Sequence, residues 1–341
     1  MRLPGMTFSP AKPLWCPAIP LDPHLARRLP QDELDFSIRR LVGSTRYEVD
    51  ADRTSFVLLG PDTYYHAIDP DLPSLLDQFR PGLDMAGIAA FTCSSPDFDL
   101  SFEDSWSGRH LARFLRLAPA DSPLVVIHLD DHTDMMPPLL GSRDGTLVFP
   151  GSDDTFDATS EANWLRAITS GCVGIGSFLS PLFHSDHPVH VRHVDNCMTP
   201  LGPVRHVAPG IRLPDLFAGF PLAALAYHDH PMPAAAGTYM AGTDPALVLR
   251  DLPRGTVVVH IDFDYFINDF NGNLLAGRGA TVDEATMIEA ADRKLARFLE
   301  AMRRYDIRPK RWLVATSPGF CAIRHWNDLL EKLSSAFRSQ S

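Results

Sequence analysis

The sequence predicts an α/β protein, three layers deep, with a mostly parallel central sheet between helices. Two runs, Leu124-Val125-Val126-Ile127 and Val257-Val258-Val259, are continuously apolar, as strands buried on both faces are. Segments of strand character alternate along the chain with segments of helical periodicity, the pattern of parallel sheets covered by helices. The 341 residues, 45% hydrophobic, are enough for a deep core.

Taken in order, residues 1–30 are rich in proline and read as an extended arm or lid. Residues 54–59 form a first strand ended by Gly60-Pro61, and residues 69–80, with Pro70 near their start, form a short helix. Residues 88–93 are expected as a strand and 94–103 as a polar loop. Helical periodicity follows around 111–115, with His110 at the head of the helix. After the strand at 124–129, residues 135–159 read as a long irregular loop, of the kind usually functional or mobile.

Ser160 caps a helix to 169, and residues 173–179 and 189–194 are expected as strands. Residues 199–245 hold many prolines and glycines around an apolar piece at 222–227. A strand over 256–261 ends in Asp262 and Asp264. Asn271-Gly272-Asn273 marks a turn, and Thr281-Val282-Asp283-Glu284 is a capping box opening a helix to about 305. A last strand at 311–316 stops at Ser317-Pro318-Gly319, and a helix over 323–337 closes the chain. No stretch reads as a linker, so residues 1–341 are expected to form one domain.

A net charge of −11 argues against nucleic acid or an anionic membrane as partner, and suits a cationic substrate. Five scattered cysteines (Cys16, Cys93, Cys172, Cys197, Cys321) without a C-x-x-C pair indicate a reducing, cytoplasmic setting. No apolar signal segment and no run of transmembrane length is present.

The chemistry is concentrated where the two apolar runs end. Asp130, Asp131, His132 and Asp134 directly follow the first, and such charge is costly to bury unless a cation compensates it. Strand alternation would place Asp130, His132 and Asp134 on one side, and Asp262 with Asp264 on one side of the second run. Two such ends can close around a metal pair of the kind used in two-metal hydrolysis. Carboxylates with some imidazole and no thiolate suit manganese or iron rather than structural zinc.

Asp130-Asp131-His132-Thr133-Asp134 resembles the D-A-H-x-D motif of the arginase and agmatinase (ureohydrolase) superfamily, and Ile261-Asp262-Phe263-Asp264 resembles its second D-x-D motif. A further family histidine, in a G-G-D-H-S loop, is matched by position to His110 in Ser107-Gly108-Arg109-His110-Leu111. The resemblance implies an arginase/deacetylase-like fold and two Mn²⁺ ions per chain held by His110, Asp130, His132, Asp134, Asp262 and Asp264. It gives Asp134 the role of orienting the nucleophilic water and relaying its proton.

Two departures bear on the substrate. The segment after Asp134 lacks the histidine and polar pattern with which arginases hold the α-groups of free arginine. Val314-Ala315-Thr316-Ser317-Pro318 lacks the glutamate that grips the guanidinium. Together with Ala315-Thr316-Ser317-Pro318-Gly319-Phe320, the motifs are most similar to divergent peptide arginases of ribosomal-peptide maturation, which turn arginine residues of a precursor peptide into ornithine with release of urea. Asp131, Asp153, Asp154 and Glu161 are the acids near the motif that could meet a guanidinium, and His184, His187, His190 and His193 could supply an acid-base group. Alternative readings are a deacetylase or other amidohydrolase on the same fold, or a binding protein with a degenerate metal site.

Overall fold

A computed structural model describes residues 15–119, 122–196, 199–233, 235–270 and 283–340. The chain begins with a small antiparallel sheet, in which β1 (Ala18–Pro20) and β2 (Thr45–Val49) flank β3 (Ser55–Pro61). Between β1 and β2 lie α1 (Pro23–Arg28) and α2 (Gln31–Val42). The expected arm is thus regular from residue 18 on, and residues 1–14 lie outside the described residues. Asp22 explains the first helix: its carboxylate accepts from the backbone N–H groups of His24 and Leu25, with Pro23 preset for a first turn. Trp15 is fixed as well, because the Arg166 guanidinium lies 4.0 Å from its ring and 4.2 Å from that of Phe149.

Among the described residues, the main sheet has eleven strands. In chain order they are β4 (Thr92–Ser94), β5 (Phe98–Ser101), β6 (Leu124–Leu129), β7 (Gly141–Arg143), β8 (Thr146–Val148), β9 (Val189–Val194), β10 (Arg205–Arg212), β11 (Leu222–His228), β12 (Gly237–Gly242), β13 (Thr256–Asp262) and β14 (Arg311–Ala315). Their spatial order is β4-β5-β14-β13-β6-β9-β12-β10-β11-β7-β8. The stretch from β5 to β12 is parallel, and the strands outside it pair antiparallel.

Helices α3 (Leu72–Phe79), α4 (Ser105–Leu117), α5 (Glu161–Ser170), α6 (Pro245–Val248), α7 (Glu284–Arg304) and α8 (Trp326–Gln340) complete the layers. Strand alternation divides the core in two. Leu124 and Val126 of β6, Val258 of β13 and Leu313 of β14 face Trp106 and Leu111 of α4 and Trp164 and Ile168 of α5. Ile127, Leu129, Val259, Ile261 and Val314 face Phe298 and Met302 of α7 and Trp326 and Leu333 of α8. Among the described residues, no helix is long and apolar enough to cross a membrane.

Several expected elements differ. Residues 85–90 form a 3₁₀ turn, because the Asp84 carboxylate accepts from Gly87 N–H and opens a helical turn. The expected polar loop contains β5, whose buried Asp99 is held by Arg311 with two bonds of 2.9 and 3.0 Å. The long loop carries the β7–β8 hairpin, residues 173–179 are turns, and β10 and β12 emerge from the proline- and glycine-rich segment. The turn at Asn271 and the Thr281 end of the capping box lie outside the described residues. Helix α7 is capped by Asp283, which accepts from Thr286 N–H.

Candidate metal centre

The register of the parallel strands builds the site. Ile261 stands opposite Leu129, and Leu129 opposite Val194; Asp262 stands opposite Ala315, and Ala315 opposite Ser101. The chain therefore leaves five neighbouring strands at one level. Asp130 follows β6, Asp262 ends β13, Ser317 follows β14 and Asp104 follows β5 at the start of α4. This carboxyl edge is where parallel sheets place their ligands.

Among the described residues, three groups of side chains lie within metal-ligating distance of one another: Asp130 with His132 and Asp264, Asp104 with Asp130 and Asp134, and His128 with Asp130 and His260. Asp130 belongs to all three. His132 Nδ1 is 2.9 Å from Asp264 Oδ2 and 3.5 Å from Asp130 Oδ1. Ser317 donates to Asp262 Oδ2 at 3.0 Å. Backbone N–H groups hold two further oxygens, with His132 N 2.6 Å from Asp130 Oδ1 and Asp131 N 3.2 Å from Asp264 Oδ1. Asp134 sits in the left-handed region at φ 51°, a conformation that aspartate tolerates better than most residues and that concentrates at functional sites. Alternation is thus not what gathers the ligands. Residues 130–134 are an irregular segment bent at Asp131 and His132, and Phe263–Tyr265 is a 3₁₀ turn.

Asp104, Asp130, Asp134, Asp262 and Asp264 are all buried. Among the described residues, Asp104 Oδ1, Asp130 Oδ2, Asp134 Oδ2 and Asp262 Oδ1 find no hydrogen-bond donor, although nearly all buried polar atoms have one. Burial, and then the charge of neighbouring aspartates, holds the carboxyls of Asp104, Asp130, Asp134 and Asp262 well above the usual range. Burial would lower the pKa of His132, but hydrogen bonds and charge from Asp130 and Asp264 prevail and push it up to about 12. His132 can ligate only as the neutral imidazole, so the cluster in its ligating form carries the negative charge of five carboxylates, which bound divalent cations would largely offset. Oxygen-rich donors with one imidazole and no thiolate fit hard or borderline divalent ions.

No known protein-family model matches the chain, and no curated protein matches it. The site therefore rests on its own geometry. Of the six expected ligands, Asp130, His132, Asp134, Asp262 and Asp264 converge, and His110 does not. Helix α4 begins at Ser105 rather than at His110, so His110 lies in its second turn, about 9 Å along the axis from Asp104 at 1.5 Å per residue. There its Nε2 pairs with Thr92 Oγ1 at 3.0 Å and its Nδ1 lies 3.8 Å from Asp99. Asp104 lies instead within reach of Asp130 and Asp134.

Beneath the cluster runs a row of histidines that only the register reveals. His260, His128 and His193 stand side by side on β13, β6 and β9. His128 Nδ1 and His260 Nδ1 are 2.9 Å apart; His128 Nε2 lies 3.1 Å from the His132 carbonyl, and His193 Nε2 3.0 Å from that of Asp130. Burial lowers all three pKa values, that of His260 to about 3, so the rings are neutral. Carbonyls only accept, so both Nε2 atoms carry the proton. His260 Nδ1–H then donates to His128 Nδ1, and Tyr239 O–H to His193 Nδ1 at 2.8 Å. The row thus braces the backbone of the ligand segment. Of the other candidate histidines, His190 pairs with Thr238, and His184 and His187 are not part of the cluster.

The cluster floors a cleft of about 350 Å³, walled by Tyr65, Phe102, Met136, Ile175, Pro318 and Phe320. Tyr65, Met136, Ile175, Gly176 and Phe320 also line an adjoining groove of about 410 Å³ that runs toward Arg39, Ser44 and Asp62. Gly319, at φ 84°, lets Tyr65 in: a Cβ there would lie 2.6 Å from the ring. Three of the four acids considered for a guanidinium are engaged elsewhere. Asp153 pairs with Arg143 and Asp154 with Arg166, while Glu161 faces Arg109, Arg113 and Arg116. Asp131 lines the cleft, but its oxygens accept from Asn196 and Asn268.

Proposed function

We propose that this chain is a two-manganese hydrolase that converts arginine residues of a peptide to ornithine, with release of urea. The observation that carries the reading is the convergence of five buried carboxylates and His132, with unsatisfied oxygens, on the floor of an open cleft. Asp104, Asp130, His132, Asp134, Asp262 and Asp264 would hold the ions. Bound there, divalent cations supply Lewis acidity that brings the pKa of water close to neutrality. Hydrolysis adds that water to the guanidinium carbon and breaks the bond to Nε. The proton moves to Nε, leaving a protonated ornithine side chain and neutral urea. Asp134, with its free Oδ2, is the group placed to orient the water and move the proton.

The substrate is proposed to be peptidyl rather than free arginine. Among the described residues lining the cleft there is no lysine or arginine to hold an α-carboxylate, and the adjoining groove leaves room for flanking residues. The four described cysteines are free thiols, in keeping with a proposed cytoplasmic setting. The test is to incubate the protein and Mn²⁺ with an arginine-containing peptide and, separately, with free arginine. The peptide is expected to lose the mass of urea less water per arginine, with equal urea released. Turnover of free arginine alone would overturn the peptide reading, and no urea from either would overturn the reaction.

A further inference from the structure

The proposed reaction needs an acid for the guanidinium, and no acid matches the family's glutamate after the last strand. We propose that Glu103 is this residue and sets the specificity for arginine. The assignment rests on the peptide-arginase reading and comes from elimination within the cleft. Six of its lining side chains carry carboxylates. Asp104, Asp134, Asp262 and Asp264 belong to the metal cluster, and Asp131 has both oxygens taken by asparagines. Asp262 enters that set through its unsatisfied Oδ1 and its place at the end of β13. Glu103 remains. It is 3% exposed, and its known neighbours hold one oxygen only. Tyr65 O–H donates to Oε1 at 3.2 Å, and His66 Nε2 lies 3.3 Å from the same atom.

Among the described residues no hydrogen bond to Oε2 is found, and Glu103 lines both the cleft and a small hollow beside it that shares Tyr65 and Ile175. A carboxylate held through one oxygen in the lining of a cavity keeps the other to accept from a guanidinium N–H. The walls fit the rest of the side chain. Phe102, Met136, Ile175 and Phe320 offer apolar surface for three methylenes and an aromatic face for the guanidinium plane. Next to Asp104 in the chain, Glu103 places the cation beside the metal cluster rather than within it.

The test uses the manganese-loaded full chain as wild type, Glu103→Gln and Glu103→Asp. Metal content is measured by mass spectrometry. Binding is followed by fluorescence anisotropy with two labelled peptides that differ only in arginine or citrulline, the neutral analogue of equal shape. Wild type is expected to prefer arginine. Glu103→Gln is expected to keep its metal and to lose about 10- to 100-fold in arginine affinity, with citrulline binding unchanged. A merely structural glutamate would weaken both peptides alike. Full metal with wild-type selectivity in Glu103→Gln overturns the assignment. Glu103→Asp, with its carboxylate withdrawn by one methylene, answers the same question if the Gln variant does not fold: retained selectivity overturns the assignment. Metal-loaded wild type without preference for arginine overturns the arginase reading, and the assignment with it.

Discussion

Asp104→Asn should have opposite effects on the protein with and without metal. In the metal-free protein, burial and then the charges of Asp262 and Asp130 raise the Asp104 carboxyl. A group whose folded pKa lies above its unfolded value stabilises fully below the unfolded value, about pH 4, and loses that contribution as pH rises through the folded pKa. Metal-free wild type should therefore lose stability from weakly acidic pH upward, and the Asn variant should lose less. With Mn²⁺ the sign reverses. A carboxylate that ligates a divalent cation gains at least the about 4 kcal/mol that two unit charges gain about 4 Å apart at an effective dielectric near 20. Relief of the carboxylate repulsion offsets part of this, leaving a net loss of about 2–3 kcal/mol, roughly a hundredfold in affinity. His110→Ala is the control, because His110 contacts Thr92 and Asp99 and not the cluster. Chelator competition gives the affinities, and urea unfolding between pH 5 and 9 gives the stabilities. Wild-type affinity in Asp104→Asn, or loss of metal in His110→Ala, would refute the assignment of the sixth ligand.

Two further substitutions probe what supports the site. His128→Phe removes the donor to the His132 carbonyl and should cost about 1–3 kcal/mol in urea unfolding and 10- to 100-fold in Mn²⁺ affinity; unchanged affinity would deny the histidine row its bracing role. Gly108→Ala would set a Cβ 2.2 Å from Trp164 Cζ3 where α4 crosses α5. It should destabilise by about 1–3 kcal/mol despite alanine's better helix propensity, and an unchanged urea midpoint would contradict the packing.

The sequence disclosed the central strands because β6 and β13 are buried on both faces and need no partner to be recognised. It concealed β5, since Asp99 is a poor strand residue until Arg311 arrives from more than two hundred positions away. Strands β10 and β12 were hidden by Pro209, Gly237 and Gly242, whose neighbours become visible only in the folded sheet. Five members of the buried cluster were legible as two short motifs. Asp104 was missed because periodicity gives a helix its face and not its first residue, and about one and two-thirds turns separate Asp104 from His110. The histidine row was illegible in principle. Register between strands from distant segments puts His128, His193 and His260 side by side, and no local pattern announces it.

Metal stoichiometry decides whether the buried cluster holds two ions. The protein is stripped with chelator, dialysed against Mn²⁺ and then against metal-free buffer, and its metal content is measured per chain. Two manganese ions per wild-type chain are expected, with loss of binding when Asp130 and Asp262 are both replaced by Asn. One zinc ion in preference to manganese would favour an amidohydrolase of the deacetylase kind. No bound metal would contradict the account, leaving five buried carboxylates without the charge that makes their burial tolerable.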